Sequence, residues 1–267
     1  MTDSTHTNLK IISLGLGVQS TAMYILSSIG KIPRADDAIF ADPGSEHPET
    51  YDLLRYLTSW WLSNRGIPIS HVKKSLLNDL LPQKDSSRQR FASIPAFTEG
   101  GAGMLRRQCT KEYKIDVVMK EIRNIYGLKP RKRMPMTEVW LGISTDEVQR
   151  MTDSKLPRVK YVYPLVDIGY SRSDCQSVLK DYRIRGVVKS ACTFCPYQSD
   201  YSWKRLKISH PKEFQKVIDV DNSIRDSSKR GIREPIYLHR SCKPIGEVDF
   251  ESQQDMFDEQ CDGYCGL

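Results

Sequence analysis

The chain has 267 residues, of which 39% are hydrophobic and 27% charged, and its 40 Lys and Arg exceed its 33 Asp and Glu to give a net charge of +7. This length is sufficient for a substantial core, as one large domain or as a core with a smaller appendage. No apolar run approaches the roughly 20 residues of a membrane span, and MTDSTHTNLK at the start lacks the apolar centre of a signal peptide, so we expect a cytoplasmic protein without a membrane partner.

Strands and helices alternate along the first part of the chain. Apolar segments predict buried strands at 9–14, 37–42 and 67–72. A helix is predicted over 20–29, and another over Pro48–Asn64, because proline is accepted in the first turn of a helix. This alternation favours a parallel sheet with helices on both faces.

The middle of the chain continues the pattern after a long interruption. Residues 83–103 are polar and then glycine-rich, which predicts a loop of the kind that is functional or disordered. A helix is predicted over 105–126, a buried strand over 137–144, and a strand followed by a loop over 161–167.

The alternation ends near residue 165, and the remainder is predicted to be mostly helical, with a CxxC pair between two helices. We therefore expect a twisted parallel α/β core over residues 1–165. Residues 166–267 are expected to form a helical region that carries the CxxC pair and a cysteine-containing tail.

Two glycines follow the first predicted strand in ISLGLGVQSTAM. Gly15 and Gly17 can adopt backbone angles closed to other residues and leave room for a ligand. The amides of Val18 through Thr21 would stand at a helix N-terminus, where unpaired N–H groups and the helix dipole favour an anion. The loop lacks the lysine of GxxxxGK[ST] and the last glycine of GxGxxG. A phosphate site and an ordinary strand-to-helix turn are both open.

An acidic residue ends the second predicted strand. In IFADPGSEHPETY, Asp42 stands before a Pro-Gly turn and a helix. Ligands of open α/β sheets bind at the carboxyl ends of strands, where a carboxylate can accept from a ribose hydroxyl or an adenine amino group. A solvent-facing turn aspartate is the other interpretation.

These motifs are similar to those of the PP-loop adenine nucleotide α-hydrolase superfamily, and most of all to its phosphoadenylylsulfate (PAPS) reductase-like branch. The similarity is carried by GLGVQST and FADPGSEHPETYDLLRYL, and it continues with RRQCTKEYKI (106–115), LGISTDEVQRM (141–151) and YPLVD (163–167). It covers most of residues 9–200 and implies a HUP-like α/β fold that binds ATP with Mg²⁺.

The resemblance also implies roles for individual residues. The family's SGGxDS loop corresponds to residues 15–20, where this chain has Gly15 for the serine, Leu16 for the first glycine and Gln19 for the aspartate. The nucleotide would be held by Asp42 at the nucleoside, by Gly142 at the adenine, and by the loop residues Gly15, Gly17, Val18, Gln19, Ser20 and Thr21. Arg150 would approach a phosphate or sulfate of the substrate.

Seven cysteines in a protein expected to be cytoplasmic argue against disulfides. Cys192 and Cys195 have the spacing that lets two thiolates hold one metal centre. Cys109 lies in the basic segment RRQCTKEYK, whose charges would favour its thiolate. Resemblance to iron–sulfur-dependent tRNA thiolases and DNA phosphorothioation proteins implies that these three cysteines bind a [4Fe–4S] cluster with one iron open to sulfide or substrate.

The ligand set leaves alternatives open. Cys242 is a candidate fourth ligand, as are Cys261 and Cys265 of the terminal CDGYCGL, which could instead carry sulfur as a persulfide or disulfide. Zn²⁺ is the alternative metal, since four thiolates satisfy its tetrahedral preference, and unligated cysteines are the third interpretation. Cys175, alone in a helical pattern, is predicted to be a buried small side chain.

The residues and the resemblance together predict an ATP-dependent sulfur transferase that adenylates a nucleic acid, with tRNA favoured and DNA open. The positive charge suits a polyanionic partner. A donor protein or sulfide would supply the sulfur, with Cys109 catalytic, and a homodimer is also open. A PAPS or APS (sulfonucleotide) reductase is the first alternative, although its ECGLH-type motif is absent. A non-catalytic nucleotide- or nucleic-acid-binding regulator is the second.

Overall fold

The structure, a computed structural model, describes residues 8–81, 93–99, 103–228 and 231–250. The described residues form two compact units that interleave along the sequence. The first unit comprises the described parts of Met1–Ala41, Pro48–Lys73 and Ile115–Ser190. The second comprises the described parts of Asp42–His47, Lys74–Lys114 and Ala191–Leu267. This division differs from the predicted one into 1–165 and 166–267, because segments from both halves of the chain contribute to each unit.

The strands are β1 (Lys10–Ser13), β2 (Asp37–Asp42), β3 (Ile69–Lys73), β4 (Phe97–Thr98), β5 (Thr137–Trp140), β6 (Val159–Val162) and β7 (Ile236–Tyr237). The helices are α1 (Val18–Ser28), α2 (Pro48–Asn64), α3 (Leu76–Leu80), α4 (Asp116–Ile125), α5 (Pro164–Asp167), α6 (Arg172–Asp181), α7 (Asp200–Ser209) and α8 (Pro211–Ile224). A π-helical turn at Lys111–Ile115 precedes α4, and 3₁₀ turns lie at Thr145–Arg150 and Ile245–Glu247. No helix of the described residues is long and apolar enough to cross a membrane.

Five parallel strands form one sheet in the order β3-β2-β1-β5-β6, as expected from the alternating pattern. The central strand β1 pairs with β2 on one side and with β5 on the other, so that Ile11 lies beside both Asp37 and Val139. The chain winds outward from β1 in one direction through β2 and in the other through β5. The carboxyl ends of β1 and β5 therefore form a topological switch point, where ligands of open α/β sheets bind.

Alternating side chains of β1 enter two different cores. Ile12 packs in a buried cluster with side chains of α1, α2 and α6, among them Met23, Leu57 and Leu179. Ile11 packs on the other face, where Ile122 of α4 is buried. This alternation is the period of two that a strand requires, and it places helices on both faces of the sheet.

The second unit has its own apolar core. Trp203 of α7 and Phe214 and Val217 of α8 pack with Leu76 and Leu80 of α3. Beside this core, β4 and β7 pair antiparallel, with Phe97 opposite Tyr237.

Some predicted elements differ from the observed ones, apart from shifts of their bounds such as the end of β5 at Trp140 instead of residue 144. Of the predicted loop over 83–103, the structure describes residues 93–99 and 103, and the rest lies outside the described residues. The described part contains a strand, β4, because its partner β7 supplies hydrogen bonds from a distant part of the chain. Within YPLVD, residues 164–167 form the short helix α5 with proline in its first turn. The predicted helix over 105–126 includes the π-helical turn. The CxxC pair lies between α6 and α7, as predicted.

Candidate functional site

The loop between β1 and α1 leaves backbone donors at a helix N-terminus. Gly17 is the N-cap of α1, in an extended conformation with φ −86° and ψ 177°, and no side chain caps the helix. The amide of Thr21 donates to the carbonyl of Gly17 at 3.0 Å, which is the first turn of α1. The amides of Val18, Gln19 and Ser20 belong to the group that an α-helix leaves without an internal acceptor. The first turn contains no acidic residue, so the positive end of the helix dipole is not neutralised there.

Space in front of this turn is kept open by the glycine at the N-cap. A Cβ atom built on Gly17 would have no heavy atom within 4 Å. The hydroxyl of Ser20 donates to the Gly17 carbonyl at 3.3 Å. The Oγ1 atom of Thr21 is buried and has no hydrogen-bond partner within the described part of the chain. A buried hydroxyl without a partner is costly, at about 1–3 kcal/mol, and a bound oxyanion would supply one.

Leu16 holds the loop in a strained conformation. Its φ is 60°, in the left-handed region, and its side chain is completely buried. This conformation costs an L-residue with a Cβ roughly 1–2 kcal/mol, and such strain is concentrated at functional sites. By the resemblance, Leu16 would correspond to the first glycine of SGGxDS, a residue type that adopts this conformation without the penalty.

Gly142 follows β5 and lies directly against the start of α1. A Cβ built on Gly142 would lie 2.7 Å from the backbone nitrogen and 2.8 Å from the Cα of Ser20. Only a glycine therefore lets the first turn of α1 approach the end of β5 so closely. The structure thus assigns Gly142 a packing role beside the loop, and its predicted place in an adenine pocket stays a prediction.

A polar network fixes the side chain of Gln19, which is 7% exposed. Its Nε2 donates to Oε2 of Glu147 at 3.1 Å and to Oγ of Ser144 at 3.4 Å. Its Oε1 accepts from Nη1 of Arg172 at 3.0 Å. Glu147 also pairs with Arg150, at 2.7 Å between Oε1 and Nη1. The predicted residues Gln19 and Arg150 are therefore linked through Glu147.

Arg172 is a site residue that the sequence reasoning missed. It begins α6, where its backbone N–H donates to Oδ1 of Asp146 at 3.1 Å. Arg172 and Gln19 are 153 residues apart. No local pattern could therefore indicate that their side chains meet.

Asp42 lies in the second unit and is 1% exposed. Its Oδ1 accepts from the N–H of Gly44 at 2.6 Å, which is an Asx-type turn, and Gly44 has φ 82°. Asp42 therefore accepts a turn hydrogen bond, as the second interpretation expects. It does not face solvent, because its side chain is buried, and that part of the interpretation is wrong. Its role at a nucleoside stays a prediction.

Cys109, Cys192 and Cys195 also lie in the second unit. The N–H of Cys195 donates to the carbonyl of Cys192 at 2.9 Å, which closes the CxxC turn. Burial raises the pKa of the Cys192 thiol well above its usual range, and the charge of Glu46 raises it further. The side chain of Glu46 is fully buried and pairs with Lys114 at 3.1 Å.

Basic neighbours favour a thiolate at Cys109, as the sequence predicts, but burial has the larger effect on the pKa of its thiol. Burial raises the pKa of Cys109, and the positive charges of Arg107 and Lys114 only partly oppose it. Desolvation of the thiolate has a larger effect on the pKa than the neighbouring charges. The sequence shows these charges, but it does not show the degree of burial, which depends on the fold.

The described residues contain no group of three or more His, Cys, Asp or Glu side chains arranged to hold a metal ion. The thiol of Cys242 donates to the carbonyl of Thr98 at 3.5 Å, and Cys261 and Cys265 lie outside the described residues. Nothing in the described residues tests the [4Fe–4S] and Zn²⁺ sites further, and both stay predictions. Cys175 is completely buried, as predicted, and burial raises its pKa to about 12.

Comparison with known proteins adds no relative to these observations. No protein-family model matches the chain, and no curated protein matches it. The assignment to a function therefore depends on the motifs and on the geometry of the loop after β1.

Proposed function

We propose that the first unit binds an adenine nucleotide, with the phosphates on the loop from Gly15 to Thr21. The observation that carries this proposal is the position of the loop at the switch point between β1 and β5, where α1 presents its uncapped amides. An open N-cap, a buried unpaired hydroxyl on Thr21 and the close packing of Gly142 support it. The resemblance to PP-loop proteins makes ATP the first nucleotide to test.

The charges around Gln19 suit a polyphosphate. Arg150 is paired with Glu147, whereas Arg172 makes no ion pair within the described residues and contacts the neutral oxygen of Gln19. In the family pattern this position holds an aspartate, which would neutralise a neighbouring arginine. Because Gln19 is neutral, the guanidinium of Arg172 keeps its charge for an anion, and a planar guanidinium matches a phosphate well.

The reaction proposed for this site is adenylation followed by sulfur transfer to a nucleic acid, with tRNA as the favoured substrate. A substrate oxygen attacks the α-phosphorus of ATP, the bond from this phosphorus to the bridging oxygen breaks, and pyrophosphate leaves. A sulfur nucleophile then replaces the adenylated oxygen, which leaves as part of AMP. The backbone amides and Arg172 hold the phosphates, and Mg²⁺ bound with ATP would reduce their negative charge.

The sulfur step rests on the resemblance and on the cysteines of the second unit. A donor protein or sulfide would supply the sulfur. No step is assigned to a [4Fe–4S] cluster, and Cys109, Cys192 and Cys195 stay its predicted ligands.

A second candidate is a nucleotide-binding protein without catalysis, and one observation favours it. Gln19 takes the place of the family's carboxylate, and its amide is fully engaged by Arg172, Glu147 and Ser144. A neutral amide in these bonds cannot serve as a carboxylate ligand or base. This candidate predicts nucleotide binding without pyrophosphate release.

The test is calorimetry with ATP on the wild type and on Gly17→Val. Valine is compatible with the extended backbone of Gly17 and fills the open space in front of the amides. We expect the variant to stay folded and to bind ATP at least about tenfold more weakly, a loss of about 1.4 kcal/mol. Gly246→Ala, whose Cβ would have Ile218 as its nearest neighbour at 3.4 Å, is the control with unchanged binding.

Pyrophosphate release then separates the candidates. A transferase releases pyrophosphate from ATP when bulk tRNA is present, a regulator binds ATP without releasing it, and a reductase consumes PAPS or APS and a thiol instead. Equal ATP affinity in wild type and Gly17→Val would exclude the proposed phosphate site.

A further inference from the structure

We propose that the opposite, amino-terminal edge of the sheet is a nucleic-acid-binding surface, which contacts backbone phosphates. The surface consists of the segments that lead into four of the parallel strands: 29–36 before β2, 65–68 before β3, 126–136 before β5 and 155–158 before β6. All four lie in the first unit. Their strands are parallel, so the four segments meet at the edge opposite the loop of Gly15 and Gly17.

The charge of this surface is strongly one-sided. The four segments contain nine Lys and Arg, and all nine are exposed. Their one acidic residue is Asp36, whose Oδ2 accepts from the backbone N–H of Lys10 at 2.7 Å. None of the nine basic side chains takes part in an ion pair with another described residue. Their charge is therefore available to an external polyanion.

Three arginines of this surface have an unusual backbone conformation. The φ angles are 52° at Arg65, 65° at Arg131 and 61° at Arg158, and each residue precedes a different strand. Arg65 stands just after α2, where glycine is the usual residue because it has no Cβ. Arginine at three such positions lowers stability relative to glycine, and backbone strain of this kind is associated with functional sites.

The basic segments are held in place by hydrogen bonds to backbone carbonyls. Arg34 donates to the carbonyls of Arg65 at 3.0 Å and Gly66 at 2.7 Å, which ties the segment before β2 to the segment before β3. Arg123 donates to the carbonyls of Lys129 at 3.2 Å and Lys132 at 2.9 Å. These bonds fix the basic segment KPRKR at residues 129–133. The charges are thus presented on ordered backbone, which reduces the entropy lost when a ligand binds.

Nucleic acid fits these charges better than an anionic membrane does. Five strands at about 4.8 Å spacing give an edge of about 19 Å, which is the length of about five phosphates in one duplex strand. Five of the nine basic residues are arginines, which suit bidentate contact with phosphate. The segments contain no Trp or Phe, two of the side chain types that anchor basic surfaces in a membrane interface. Phosphate contacts of this kind position a nucleic acid without reading its sequence.

The test uses the full chain without ATP and the triple variant Arg65→Gly, Arg131→Gly and Arg158→Gly. Glycine is favourable at a positive φ, so we expect thermal stability equal to or above that of the wild type. Binding to tRNA, to single-stranded RNA and to duplex DNA is measured by fluorescence anisotropy from 50 to 200 mM salt. We expect at least a tenfold weaker Kd and a salt slope reduced by about two to three for duplex DNA.

A control variant removes three charges elsewhere. Arg55→Ala, Lys120→Ala and Lys212→Ala change exposed helical positions outside the four segments, and we expect a Kd within about twofold of the wild type. Equal nucleic-acid affinity in the glycine variant and the wild type would overturn the inference, as would an equal loss in the control. Binding of anionic phosphatidylserine vesicles but not of nucleic acid would also overturn it.

This inference does not depend on the nucleotide site. Calorimetry with ATP on the same glycine variant tests the proposed nucleotide site at the carboxyl edge of the sheet. We expect the ATP affinity of this variant to equal that of the wild type. A protein that binds nucleic acid but not ATP would retain the inference and exclude the proposed function.

Discussion

Gly142→Ala is the substitution that tests the geometry of the loop most sharply, because the added methyl group has no space. Its carbon would lie 2.7 Å from the backbone nitrogen of Ser20, and ordinary van der Waals contact begins at 3.4 Å. The first turn of α1 must therefore move by about 0.7 Å, because the close atoms of Ser20 are its backbone nitrogen and Cα, which cannot rotate away as a side chain can. Overpacking of this kind typically lowers the free energy of unfolding by about 1–3 kcal/mol.

The displacement should also reach the ligand. The amides that we propose to bind phosphate belong to the turn that moves, and hydrogen bonds weaken steeply when donors shift from their optimal positions. We expect urea unfolding to show a loss of about 1–3 kcal/mol and calorimetry to show at least a tenfold weaker Kd for ATP. Gly15→Ala is the matched control for stability, because its Cβ would meet only Ser20 and Ser190 oxygens at 3.8 Å. A Gly142→Ala protein with wild-type stability and wild-type ATP affinity would refute this reasoning.

Three further predictions follow from individual residues. At Leu16, with φ 60°, we expect the Leu16→Gly variant to be more stable than Leu16→Ala by about 0.5–1 kcal/mol in urea unfolding. At the buried control position Leu14, we expect the alanine variant to be more stable than the glycine variant. The same order of stability at both positions would exclude the left-handed conformation of Leu16. Burial raises the pKa of Asp37 to about 6, so this carboxyl binds a proton more tightly in the folded protein than in the unfolded chain. The stability of the protein therefore falls as the pH rises from about 4 to 6. Asp37→Asn should therefore raise the free energy of unfolding by about 1 kcal/mol at pH 7, after a discount for solvent screening, and leave it unchanged below about pH 4. An equal gain in stability at both pH values would contradict the raised pKa of Asp37. Because desolvation raises the pKa of Cys192, iodoacetamide should modify it at least tenfold more slowly in the native protein than in urea at pH 8, as measured by mass spectrometry. Rapid native labelling would contradict the raised pKa.

The fold of the first unit could be predicted well because its signals are local. The strand over 37–42 is an apolar run that ends at a Pro-Gly turn, and the helix at Pro48–Asn64 begins with a favourable proline; both were predicted with the bounds that the structure shows. The strand β4 was missed because it has two residues and a partner 140 positions away at Tyr237. A short strand of that kind has no periodicity of its own.

The candidate site was predictable only in part for the same reason. The glycines and hydroxyls after β1 are contiguous, so their proximity is visible in the sequence. Arg172 reaches Gln19 across 153 residues, and the close approach of Gly142 to Ser20 depends on how α1 packs on the end of β5. Charge near Cys109 was visible, but the burial that raises its pKa depends on the folded chain.

The most direct measurement is a titration of isotopically labelled protein with ATP, followed through the backbone amide resonances. If the phosphates bind the start of α1, the amides of Val18, Gln19, Ser20 and Thr21 will show the largest changes in chemical shift, together with the side-chain guanidinium of Arg172. Unchanged resonances at these amides while ATP binds elsewhere, or no binding of ATP at all, would contradict the account.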